Sequence, residues 1–165
     1  MGGLVLADTF APEVLGIGEW LQRSVLLRAV IPPVRLLGYE RVERAMVWLR
    51  ERLQGEGTSG DYERIERPRA EGPRMTTAEF AKVIRAVAAF DRTDVDHVSI
   101  TAPTLVLSGE HDVSFVRRHA PGLTAVIPDA AVLAVPDAGD ASNLDDPDYF
   151  TVALREFLAR VDAAD

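Results

Sequence analysis

The sequence predicts an α/β fold: about three parallel strands with flanking helices and a helical insertion. Two observations carry this. Three short apolar runs, at Leu4, Leu105 and Val132, have strand length and are bounded by turn residues. The intervals between them show helical periodicity, and strand–helix alternation of this kind builds a parallel sheet with crossover helices.

The first run, Leu4-Val5-Leu6-Ala7, gives a strand ending at Asp8-Thr9. Pro12 opens a mostly helical stretch, and Pro32-Pro33 breaks it because proline lacks an N–H and clashes with the preceding turn. From Tyr39 to Gln54 the residues Val42, Met46, Leu49 and Leu53 recur at three and four, which predicts one helix with a single buried stripe. Thr76 and Glu79 have capping-box spacing and start a second helix, Thr77 to Phe90, with Phe80, Val83, Ile84 and Val87 on one face. Between these helices, residues 55–73 are rich in Gly, Arg and Glu and poor in apolar residues, which predicts a mobile loop.

After the insertion, Thr104 to Ser108 is an apolar run between Pro103 and Gly109, as expected of a strand buried on both faces. Ser114 to Ile127 reads as a helix that Pro121-Gly122 should kink or divide. Ala131 to Val135 is the last strand. Asp146 can cap the final helix with Pro147 at its first position, and Phe150, Leu154, Phe157, Leu158 and Val161 form its packing face. The expected organisation is a core from residues 1–10 and 91–165, with 11–90 as the insertion.

The chain has 165 residues, of which 47% are hydrophobic, enough for one domain with a core. No apolar run approaches the roughly 18 residues of a membrane span, and no signal peptide is visible, so the expectation is a cytoplasmic protein without a membrane partner. The absence of cysteine excludes disulfides and thiolate metal sites. A net charge of −8 repels nucleic acid phosphates and anionic lipid, which excludes both as partners. Of eighteen basic residues only Lys82 is a lysine. Lysine scarcity with excess acid is the habit of proteins from salt-loving organisms, and a halophilic protein is the expectation; a GC-rich genome would also favour arginine.

Two stretches carry a family resemblance. Ile100-Thr-Ala-Pro-Thr-Leu-Val-Leu-Ser-Gly-Glu-His-Asp112, followed by Val135-Pro-Asp-Ala-Gly-Asp-Ala-Ser-Asn-Leu-Asp-Asp-Pro147, resembles the C-terminal half of an α/β-hydrolase of the carboxylic-ester or lactone type. The resemblance implies that the first strand-end loop supplies a triad acid, here Asp112, and that the next supplies the general base. At that base position stands Asp140, not histidine. It also implies that the helical insertion is the cap. The family's nucleophile elbow, G-x-S-x-G, does not occur; its nearest imitation, Gly57-Thr58-Ser59-Gly60, has Asp61 where the last glycine belongs and follows no apolar strand.

Asp112 has two readings, a triad acid that orients an imidazole or a loop carboxylate accepting backbone hydrogen bonds. Asp140 is a poor substitute for histidine, because a carboxylate with an ordinary pKa of about 3.9 does not take and return a proton near neutral pH. His97, His111 and His119 fall in no metal-ligand spacing and read as surface residues, and Asp145-Asp146 lack the spacing of a calcium loop. No metal and no cofactor is expected. The resulting expectation is a truncated, catalytically inactive hydrolase relative. The alternatives are one half of a two-chain hydrolase and a non-catalytic module binding a small ester-like ligand. Without preceding strands the Gly3–Asp8 strand becomes a sheet edge with no charge or proline to blunt it before Asp8, so a homodimer or a complementary hydrolase half is the expected partner.

Overall fold

The computed structural model describes residues 2–54, 75–90 and 94–163. The expected loop at 55–73, including Gly57 to Gly60, lies outside them. The elements in chain order are β1 (Leu4–Ala7), α1 (Ile17–Trp20), a π-helical stretch (Leu21–Leu26), α2 (Leu27–Ala29), α3 (Ile31–Leu37), α4 (Tyr39–Gln54), α5 (Thr77–Ala88), a short 3₁₀ turn (His97–Ser99), β2 (Thr104–Gly109), α6 (Ser114–Val126), β3 (Ala130–Val135), α7 (Ser142–Asp145) and α8 (Pro147–Ala163). The described residues fall into two units, one of 2–11 and 96–163, the other of 12–54, 75–90 and 94–95.

The first unit is a three-stranded sheet in the order β1-β2-β3, parallel throughout, with Leu4 opposite Thr104 and Thr104 opposite Ala130. The strand period of two divides its core between the faces. Leu105 and Leu107 join Val135, Ala138, Ala153, Phe157 and Val161 in one cluster, with Val5 and Phe150 against it. Val106, between them, joins Ala11, Ala120, Leu123 and Ile127 in the other, with Leu6 beside it. Helix α8 therefore packs on one face and α6 on the opposite face, and β2 is buried along its whole length. The outer strands are less covered: Val132 and Leu133 of β3 are well exposed, and Leu4, Val5 and Leu6 of β1 are half-buried.

Several details depart from the sequence reading. Helix α6 runs unbroken through Pro121. One lost N–H bond is tolerated because Phe115, Val116, Ala120 and Leu123 bury a continuous stripe on both sides of the proline. That stripe also includes His119, which is buried rather than on the surface: its Nδ1 accepts the Ala11 N–H at 3.3 Å, and its ring tilts against Phe10. On α8, Ala153 is buried and Leu158 is exposed, so the packing face is narrower than its apolar residues suggested.

The second unit is helical. Pro32 and Pro33 end one helix and open another, occupying the first turn of α3, where a missing N–H costs nothing. Helix α5 begins with the expected capping box: the Glu79 N–H donates to Thr76 Oγ1, and the Thr76 N–H donates to Glu79 Oε2 at 2.8 Å. The Thr76 N–H and the Thr76 hydroxyl, both donating to Glu79 Oε2, hold the Glu79 carboxyl below its ordinary range. On α4 only part of the predicted stripe is covered, for Val42 is buried while Met46 and Leu49 are about half exposed. Periodicity defines a face of a helix but not what lies against it.

Candidate functional site

The C-terminal ends of the three strands supply the site, as they do in open parallel sheets generally. Asp112 lies in the turn after β2, almost fully buried, where its Oδ1 accepts the Val113 N–H beside the first turn of α6. Asp140 lies in the loop after β3 and is exposed. The two sequence-predicted residues thus occupy neighbouring strand-end loops, and main-chain bonds tie these together. Glu110 donates its N–H to Val135 O at 3.0 Å, and His111 donates to Ala138 O at 2.8 Å. Gly109 makes this approach possible, since a Cβ there would collide with the main-chain oxygens of Ala138 and Gly139.

Asp8, at the end of β1, completes the arrangement and was not singled out as a site residue by sequence. Its Oδ2 accepts the Ser142 N–H at 3.0 Å and the Ser142 hydroxyl at 2.8 Å, and its Oδ1 accepts the Gly109 N–H at 3.3 Å. One carboxylate therefore joins the ends of β1 and β2 to the start of α7. Its backbone has φ of 45°, in the left-handed region that Asp tolerates better than most residues. Burial pushes the Asp8 carboxyl above its ordinary value near 3.8, and the charge of Asp140 adds to the rise; the hydrogen bonds from Ser142 and Gly109 oppose both without cancelling them. The available signal was an Asp directly after four apolar strand residues, at the end where ligand sites form.

The loop after β3 has a brace of its own, as Gly139 donates its N–H to Asp145 Oδ2 at 2.7 Å. Asp146 accepts the Tyr149 N–H at 3.0 Å and caps α8 as expected. Fold also brings together Glu110, His111 and Asp137, which sequence spacing did not connect, with one donor atom from each within 4.8 Å of the others. Among the described residues no helix is long and apolar enough to cross a membrane.

The second unit holds a buried ion pair. Glu19 and Arg23, both about 1% exposed, meet at 2.8 Å, and Arg23 also donates to Pro12 O and Glu13 O while Glu19 accepts the Leu15 N–H. Arg23 sits in the π-helical stretch.

No protein-family model and no curated protein matches the chain. Solved structures do. The chain is similar to MenH from S. aureus, with a TM-score of 0.75 at 21% identity over 97% of this chain and 59% of that one. It is similar to a thermophilic esterase from Thermogutta terrifontis, with a TM-score of 0.64 at 24% identity over 96% of this chain and 56% of that one. It is also similar to Est816, described as an N-acyl homoserine lactone degrading enzyme, with a TM-score of 0.56 at 20% identity over 94% of this chain and 57% of that one. The chain therefore has the fold of α/β-hydrolases, over a little more than half the length of these structures.

Proposed function

We propose that this chain descends from α/β-hydrolases acting on carboxylic esters or lactones and that, on its own, it is catalytically silent. The observation that supports this most is the residue pair at the strand ends. Asp112 keeps the place of a triad acid, buried at the mouth of α6, while the neighbouring base position holds the exposed Asp140 and no G-x-S-x-G is present in the sequence. With no G-x-S-x-G serine in the sequence and a carboxylate at the base position, the family's route to acyl transfer has neither its nucleophile nor its general base. In this reading residues 11–90 correspond to the cap.

The test is turnover of p-nitrophenyl acetate and of an N-acyl homoserine lactone by the purified chain. Neither should be hydrolysed above a protein blank, and Asp140→His alone should restore nothing, because no nucleophile awaits activation. Saturable turnover that Asp112→Ala abolishes would refute the proposal.

A second reading is favoured by β1, which among the described residues pairs on one side only and presents half-buried Leu4, Val5 and Leu6. Such an edge accepts a further strand. The partner in this reading is a complementary hydrolase half carrying the nucleophile, or in its absence a second copy of the chain. Light scattering after size exclusion should find a dimer that Leu6→Lys disperses; a stable, folded monomer at micromolar concentration counts against it.

A further inference from the structure

We propose that Glu110, His111 and Asp137 form a binding site for a divalent cation of the zinc or nickel type, built across the loops that follow β2 and β3. The imidazole and two carboxylates come from adjacent loops and offer donor atoms all within 4.8 Å of one another. Imidazole and carboxylate donors held at about 2.0–2.2 Å from one ion stand roughly 3–3.5 Å apart. His111 Nε2 and Asp137 Oδ1 are separated by 3.6 Å, too far for a direct hydrogen bond and close to that spacing between ligands.

The backbone beneath these side chains is fixed. The N–H of Glu110 is bound to Val135 O and that of His111 to Ala138 O, while the Asp137 N–H donates to Glu110 Oε2 at 3.3 Å and turns that carboxylate toward the other two residues. Only short rotations of exposed side chains are then needed to close the chelate. One nitrogen with two oxygens suits borderline first-row ions better than magnesium, which prefers oxygen and keeps its waters. All three side chains are exposed, so water or an anionic small molecule fills the remaining coordination positions. The proposed hydrolase descent assigns no role to any of the three.

The experiment is calorimetric titration of the tag-free, chelator-treated chain with zinc, nickel and magnesium chlorides in a non-coordinating buffer. One saturable equivalent of zinc or nickel is expected in the micromolar range, with magnesium weaker. His111→Ala and Asp137→Asn should each weaken binding about tenfold or more, while His97→Ala leaves it unchanged. The variants change exposed side chains, and an unaltered circular dichroism spectrum verifies their folding. Paramagnetic nickel should broaden amide resonances at residues 109–112 and 136–139 ahead of all others. Absence of saturable binding below millimolar metal, wild-type affinity in both ligand variants, or broadening centred elsewhere would each overturn the site.

Discussion

The carboxylate of Asp8 receives both the main-chain N–H and the hydroxyl of Ser142, 134 positions later in the chain. Together with the bond from the Gly109 N–H, this makes a single side chain the fastener of the β1 and β2 ends and the start of α7. Its pKa stands above 3.8, so the folded protein holds the Asp8 proton more tightly than the unfolded chain does. That contribution to stability is fully present below pH 3.8 and is lost as pH rises through the folded-state value. Urea unfolding of the protein and of Asp8→Asn across this range should show the wild-type protein losing stability relative to the variant as pH rises. Asp140→Asn should move the Asp8 titration, followed by carboxyl-carbon NMR, to lower pH. An unmoved midpoint would show that the two charges do not interact.

Gly109 should tolerate no side chain. The methyl of Gly109→Ala would meet main-chain oxygens of Ala138 and Gly139, atoms that cannot rotate aside. Strain of this kind costs about 3 kcal/mol or more, beyond the usual range for an added methylene in a core. Denaturant titration against Gly2→Ala, where a Cβ meets nothing within 4 Å, supplies the comparison.

Glu19 and Arg23 should resist separation. Removing one member of a fully buried pair leaves the other charge without its counter-ion, at a cost on the order of 3–5 kcal/mol. Glu19→Ala should therefore unfold the helical unit at much lower denaturant. The double replacement Glu19→Leu with Arg23→Met should recover most of the loss, since an apolar pair needs no compensation. Far-ultraviolet circular dichroism during urea titration reads both.

Salt should stabilise the chain if its −8 charge and single lysine reflect a saline interior. Ordinary surface charges are already largely screened at roughly 0.1 M salt. A melting temperature that continues to climb in molar KCl marks adaptation to salt, whereas a flat profile assigns the composition to nucleotide bias.

Much of the fold was legible because its signals are local. Thr76 and Glu79 lie three residues apart and announce a helix start without reference to the rest of the chain, and Asp146-Pro147 does the same for α8. The run around Leu105 reads as a strand buried on both faces, and it is one. The parts that were not legible depend on distant partners. His119 is buried because Ala11 and Phe10 come to it from the other end of the unit. Met46 and Leu49 keep the right period yet remain open, since periodicity says nothing of a neighbour. At the candidate site, Asp112 was visible through its motif, but the importance of Asp8 emerges only when Ser142 is folded against it.

The register of the sheet also sets an order of assembly. Thr104 pairs with Ala130 across one intervening helix, whereas Leu4 must find Thr104 across the whole helical insertion. Loop closure over about four times as much chain costs roughly 1.2 kcal/mol more in entropy, before the insertion's own folding is counted. The β2–α6–β3 unit is thus the natural nucleus, and β1 is recruited to it. On the ribosome β1 is made before β2, with the synthesis of about a hundred residues at roughly 5–20 per second between them. Through that interval, on the order of 5–20 s, the apolar β1 is without the β2 strand that it pairs with in the folded sheet.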